Sequence, residues 1–285
     1  MRKQRIHRSI LEVVGVLLSV LILSPFFLIV INSAKDSKSI TRNPIGWPED
    51  FSLLFTNLKA VMNNPQFNYF KSFSSSFLIT VISLLLIMYV ASMAAWILVR
   101  NKTWWSNTIF MVFVAAMVIP FQVVMLPMLS NFRNVSDLLG FSFLNSYFGV
   151  IFAYLGFGGS LSIFIIHGFI KGIPLELEES AMLDGCSSEL VFFRIVFPIL
   201  RPVRVTILIL NGMWIWNDFL LPSLLLGMNG KVKTLPIAVT SFVGSYVKQW
   251  DLILSASFLA MLPILILFIF AQKYIVKGMV EGSIK

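Results

Sequence analysis

Six apolar runs dictate most of what this chain can become. They lie at about residues 11–31, 74–98, 107–129, 147–170, 203–226 and 252–275. Each is long enough to cross a hydrocarbon core of about 30 Å as a helix rising about 1.5 Å per residue. The runs are continuous rather than alternating, so they read as helices and not as strands of a barrel. The expectation is an all-α polytopic membrane protein with six transmembrane helices, forming one membrane-spanning domain over residues 1–285.

Composition agrees with that reading and excludes others. Of 285 residues, 58% are hydrophobic and only 12% charged, against about 25% charged in soluble domains. A net charge of +9 raises the question of nucleic acid, but the basic residues flank the apolar runs instead of forming one patch. No nucleic-acid partner is expected; the lipid bilayer is. One cysteine, Cys186, excludes an internal disulfide and a paired-cysteine metal site. Two histidines, His7 and His167, are too few and too far apart for a metal centre, so no metal site is expected. Neither a GxSxG elbow nor an HExxH pair occurs. The Gly227–Lys231 stretch lacks the spacing of a phosphate loop. The chain is expected to hydrolyse no ATP. The first run is too long for the core of a secretion signal, about 7–15 residues, and reads as a retained span.

The positions of Lys and Arg orient the spans. With six spans both termini share one side, and 13 of the 22 basic residues fall there against 9 opposite. Four of them crowd the first eight residues (Arg2, Lys3, Arg5, Arg8), and Arg100 and Lys102 share a very short loop. The termini and the loop 171–202 are therefore expected to be cytoplasmic. On the outer side, residues 51–62 carry apolar residues at helical spacing. Two readings stand for them: a helix lying in the membrane interface, or a cap packed on the bundle.

Polar residues at membrane depth are costly and normally face a bundle interior or a pathway. Asn211, Trp214 and Asp218 are three and four residues apart and share a helical face; Asn217 sits beside them. They read as a pathway wall with Trp214 as a stacking surface for a sugar ring, or as hydrogen bonding between helices, the reading preferred for Asp218. In the third run Gln122 lies between Pro120 and Pro127, where freed carbonyls suit either a hinged pathway helix or a static kink. Gly156, Gly158, Gly159, Ser160 and Ser162 permit close helix approach.

The 171–202 loop has a different character. Pro174 suits a first helical position, and Glu176, Glu178 and Glu179 complement the positive end of a helix dipole. Gly185 lies where a left-handed cap ends a helix, and Ser187 or Ser188 can cap a second helix running towards Pro198. The result is two short cytoplasmic helices, the first about ten residues and ~15 Å long. Its small residues Ser180 and Ala181 are flanked by acids able to pair with a basic rim. Such an element is a partner-binding knob or a loop packed on its own bundle.

Glu179-Ser180-Ala181, three residues, Gly185, nine residues, then Ile195, Phe197 and Pro198 resembles the EAA signature of bacterial ABC importer permeases, EAA-x3-G-x9-I-x-LP. The departures are Ser180 for alanine and Phe197 for leucine. Trp216 to Pro222 and the ending from Gln272 to Lys285 are similar to the carbohydrate-uptake, maltose-type subfamily, and specifically to its shorter six-span permease. The resemblance implies a plasma-membrane subunit of a bacterium that takes up a sugar, an oligosaccharide, by alternating access. It implies a second homologous permease, an ATPase subunit pair that carries ATP and Mg, and an extracytoplasmic solute-binding protein; the chain itself would bind no cofactor. Glu179, Ala181, Asp184, Gly185 and Pro198 would couple to the ATPase, and the tail Gly282, Ser283, Ile284 and Lys285 would touch it. Most ligand contacts would come from the other permease. The rival readings are a permease for a non-sugar solute and a stand-alone secondary transporter.

Overall fold

The computed structural model describes residues 2–228, 230–243 and 248–283, with side chains from residue 8 to 270 and at 272 within them. Among the described residues the structure is helical, with one isolated antiparallel bridge between Val243 and Lys248. In chain order the helices are α1 (Arg2–Ser33), α2 (Ser37–Arg42), α3 (Ser52–Met62), α4 (Tyr69–Arg100), α5 (Trp104–Val118), α6 (Phe121–Leu139) and α7 (Tyr147–Ile170). There follow α8 (Glu176–Leu183), α9 (Ser188–Val191), a wide turn Phe192–Val196, α10 (Phe197–Ile199) and α11 (Arg201–Asn217). The chain ends with α12 (Leu220–Leu226), α13 (Leu235–Val239) and α14 (Trp250–Ser283).

Four helices are long and apolar enough to cross a membrane: α1, α4, α7 and α14. The runs expected at 107–129 and 203–226 are each broken. α5 and α6 bend by 109°, and α11 and α12 by 58°, so the count reaches six only if each bent pair is one span. The breaks follow from local chemistry. Pro120 forces the residue before it out of the helical region, and Ile119 is accordingly extended (φ −75°, ψ 117°). Asp218 is extended as well (φ −71°, ψ 126°), and its Oδ1 accepts the Leu220 N–H at 2.9 Å, which starts α12.

The chain divides into two compact units. The first comprises residues 1–70 and 238–263. Its buried core holds Ile31, Ile40, Val61, Phe67, Phe242 and Ala256. The end of α1 is tied down by polar bonds: Asn57 Nδ2 donates to the Ser33 and Lys35 carbonyls, and Lys35 Nζ to Asn32 Oδ1 and the Asn43 carbonyl. Asp36 caps α2 through the Lys38 and Ser39 N–H groups. In α3, Asn57 and Val61 are buried, whereas Phe51 before the helix and Phe55 within it are exposed.

The second unit comprises residues 71–237 and 264–285. α7 lies at its centre, burying Val150, Tyr154, Ile163, Ile166 and Ile170. Small residues let its neighbours approach: a Cβ at Gly158 would lie 2.7 Å from both Asn211 Oδ1 and Ile87 Cδ1. α5 packs along α7, with Phe110 stacked on His167 at 3.7 Å between ring centroids.

Candidate functional site: the loop between α7 and α11

The loop 171–202 folds into the two short helices that the sequence predicts, with a later start. α8 begins at Glu176, not at Pro174. Ile173 to Leu175 are taken up by turns, in which the Glu178 and Glu179 N–H groups both reach the Leu175 carbonyl. α8 therefore has eight residues, about 12 Å. Its three glutamates occupy the first turn, where they complement the helix dipole.

Its C-terminus is a Schellman cap. The Cys186 N–H bonds the Ala181 carbonyl and the Gly185 N–H bonds the Met182 carbonyl, both at 3.0 Å. Gly185 takes φ +88°, which side-chain-bearing residues rarely adopt. Ser187 then caps α9 by accepting the Leu190 N–H. The wide turn after α9 carries an i→i+5 bond from the Phe197 N–H to the Phe192 carbonyl.

The three first-turn acids do not share a role. Glu178 is only 1% exposed. Its Oε1 accepts from Arg100 Nε at 2.9 Å and Arg100 Nη2 at 2.6 Å, and its Oε2 accepts from Trp96 Nε1 at 2.9 Å. Of the acids read as able to pair with a partner's basic rim, Glu178 is instead consumed inside its own chain. Glu176, Glu179 and Asp184 are exposed, and no bond to their carboxylates is found among the described residues.

The small-residue patch is corrected too. Ser180 is exposed, with Oγ bonded back to the Glu176 carbonyl, but Ala181 is buried in the core that also holds Ala95, Val191 and Phe192. Its small size serves packing within this chain. Beside its exposed acids, α8 presents apolar side chains outward: Leu183 is 89% exposed, with Leu177 and Met182 about half exposed. Pro198 is exposed near the end of the loop.

The pathway candidates separate. Asn211 is 3% exposed and its Nδ2 donates to Ser162 Oγ at 3.2 Å and to the Ile207 carbonyl at 3.1 Å. It joins α11 to α7. Trp214 is 42% exposed and meets the Tyr154 ring edge-on at 5.4 Å. Asp218 Oδ2 accepts the Tyr154 hydroxyl at 3.0 Å. Tyr154 thus holds both Trp214 and Asp218, a contact the sequence reading missed because nothing local marks that tyrosine. Asn217 is exposed and bonds back to the Met213 carbonyl. Gln122 is exposed at the start of α6, and among the described residues no hydrogen bond links it to this group. Of the tail candidates, Gly282 and Ser283 lie on the backbone of α14, while Ile284 and Lys285 lie outside the described residues. No group of three or more metal-ligating side chains is found among the described residues.

Comparison with known proteins places this geometry in context. Residues 87–281 match the model of a family described as "Binding-protein-dependent transport system inner membrane component". The chain is 39% identical, over the full length of both, to a probable starch degradation products transport system permease protein of Thermoanaerobacterium thermosulfurigenes. It is 32% identical to a melibiose/raffinose/stachyose import permease of Bacillus subtilis, covering 92% of this chain and 91% of the relative. Among solved structures, a bacterial ABC transporter chain involved in alginate import superposes with a TM-score of 0.79 at 17% identity, over 96% of this chain and 98% of that one. At that identity the likeness is one of fold.

Proposed function

The chain belongs to the family of binding-protein-dependent transport system inner membrane components, and from that membership we propose that it imports an oligosaccharide, driven through α8 by a separate ATPase pair. It is a permease subunit, and the family assigns ATP hydrolysis to another subunit. A second permease completes the pathway and an extracytoplasmic binding protein delivers the sugar. The sugar class rests on the relatives, whose names specify starch degradation products, arabinooligosaccharides and melibiose, raffinose or stachyose. A bacterial plasma membrane with both termini cytoplasmic is the setting that the distribution of basic residues supports.

The observation that carries the coupling role is the outward face of α8. Leu183, at 89% exposure, stands with Met182 and Leu177 beside three carboxylates that find no partner among the described residues. An apolar tip rimmed by acids suits a groove lined by apolar side chains and edged with basic ones. Below it the Schellman cap and the Glu178 bonds hold α8 firm. Closure of the ATPase pair displaces α8, and the chain answers by rearranging its pathway helices. The breaks at Ile119 and Asp218 are the points where backbone bonding is already interrupted. Trp214, with its exposed face steadied by Tyr154, is the pathway candidate that the geometry supports best, and Asn217 follows it.

The lone cysteine supplies the test. Cys186 is half-buried directly behind the tip of α8. A membrane-impermeant maleimide is expected to label it in inside-out vesicles and not in right-side-out cells, and the bound ATPase is expected to slow the labelling. Leu183→Asp should release the ATPase, since an interfacial leucine contributes roughly 1.5–3 kcal/mol, at least about tenfold in affinity. Labelling from the outside, or an ATPase retained at wild-type level by Leu183→Asp, would sink the reading.

A further inference from the structure

We propose that Glu178 is a positioning residue for transport: it fastens α8 to the end of α4, so that force received by the tip moves α4 as one body with it. This rests on the reading of α8 as the ATPase-docking element and adds the route by which displacement leaves it.

Both carboxylate oxygens of Glu178 are claimed by α4. Trp96 and Arg100 are four residues apart on that helix and so share a face. Trp96 Nε1 holds one oxygen, and the Arg100 guanidinium holds the other through Nε and Nη2. The same Nη2 also donates to the Ile173 carbonyl at 3.2 Å. One arginine therefore grips the chain on both sides of the turn that starts α8. Trp96 also packs on Phe192, with ring centroids 5.3 Å apart, at the start of the wide turn after α9. The two halves of the loop are thus fixed to a single helix end.

A charged fork at 2.6–2.9 Å fixes direction as well as distance, which an apolar contact does not. Glu179, the next residue, is turned about 100° around the helix and exposed. The adjacent glutamates have different tasks: Glu178 fastens, Glu179 docks. α4 carries the displacement onward. It has 32 residues, about 48 Å of helix. Towards its far end Ser75 Oγ pairs with the Tyr147 hydroxyl at the start of α7, and Ser76 Oγ accepts the Leu235 N–H at the start of α13.

The test uses the assembled transporter in proteoliposomes, with its second permease, ATPase and binding protein. The probe sugar is whichever of labelled maltotriose, raffinose or arabinotriose the wild type takes up. Glu178→Gln keeps the outward face of α8, so the ATPase is expected to remain bound and active. Sugar moved per ATP hydrolysed should fall about tenfold or more, the scale on which losing a charge-assisted bond is felt. The exchange of Glu178→Arg with Arg100→Glu should transport better than either change alone. Should Glu178→Gln fail to insert, Trp96→Phe removes the indole N–H while keeping an aromatic ring against Phe192, and is expected to lower the same ratio by a smaller factor. A wild-type transport-to-ATP ratio in the variant that inserts would overturn the proposal. So would release of the ATPase by Glu178→Gln to the extent seen with Leu183→Asp, or an exchange no better than the single changes. Failure of the docking reading looks different, because Leu183→Asp would then retain the ATPase.

Discussion

Gly185 offers the sharpest test of how α8 is held. A Cβ built on it meets nothing within 4 Å, so a side chain has room inside this chain and the obstacle is the backbone, at φ +88°. Left-handed conformation costs an L-residue about 1–2 kcal/mol, a factor of about 5–30 in the balance between a closed and an opened cap. Opening the cap breaks the bonds to the Ala181 and Met182 carbonyls and frees Cys186, so maleimide labelling of that thiol reads the cap directly. Gly185→Asn should behave best, because asparagine tolerates this region. Gly185→Ala should label several-fold faster than wild type, and Gly185→Val faster still, since a β-branched residue is a genuine outlier there. Uptake should decline in the same order. Equal labelling in the glycine and valine proteins would refute the conformational account. If labelling stayed flat while uptake fell with side-chain size, the glycine would be serving clearance for the ATPase instead.

Two further outcomes follow from the packing and the caps. Gly158→Ala sets a methyl against Asn211 Oδ1 and Ile87 Cδ1, both at 2.7 Å. An overpacking cost of about 1–3 kcal/mol is expected, seen as earlier thermal aggregation of the detergent-solubilised protein, and an unchanged midpoint would argue against close α7–α11 packing. The Ser39 hydroxyl, with the Ser39 and Lys38 N–H groups, holds the Asp36 carboxyl below its usual value of 3.8. A depressed carboxyl stabilises above its unfolded value and loses that contribution as pH falls through the folded one. As pH falls through the acidic range, pepsin cleavage within 37–42 should therefore rise more steeply in the wild type than in Asp36→Asn, which has no carboxyl to titrate there; the same rise in both proteins would contradict the cap.

Several features were legible in the residues because their causes are local. Continuous apolar runs gave α1, α4, α7 and α14, Gly185 gave the end of α8, and Ser187 gave the start of α9. Pro120 marked where the third run breaks, but no local signal encodes the 109° angle. Glu178 was indistinguishable from Glu176 and Glu179 in sequence, because its partner Arg100 lies 78 positions away and reads as an ordinary cytoplasmic anchor. Ala181 looked like surface for the same reason: the core that buries it draws on residues distant in the chain, such as Ala95 of α4. Spacing puts Asn211, Trp214 and Asp218 on one helical face, but α11 ends at Asn217, and α7 meets the three differently, bonding the buried Asn211 through Ser162 and bracing the other two through Tyr154.

The sharp turn at Ile119 also bears on how the protein enters the bilayer during synthesis. α5 has 15 residues, about 22 Å of helix, short of the roughly 30 Å hydrocarbon thickness. α6 is longer, with 19 residues, but it carries Asn131, Arg133, Asn134 and Asp137, side chains that lipid rejects. Neither segment is therefore stable alone as it leaves the insertion machinery. Their partner is α7, made later, so the third run must wait at the membrane surface or beside the machinery until α7 arrives. This places a step that waits for α7 in the assembly of the bundle while α11 to α14 are still to be made.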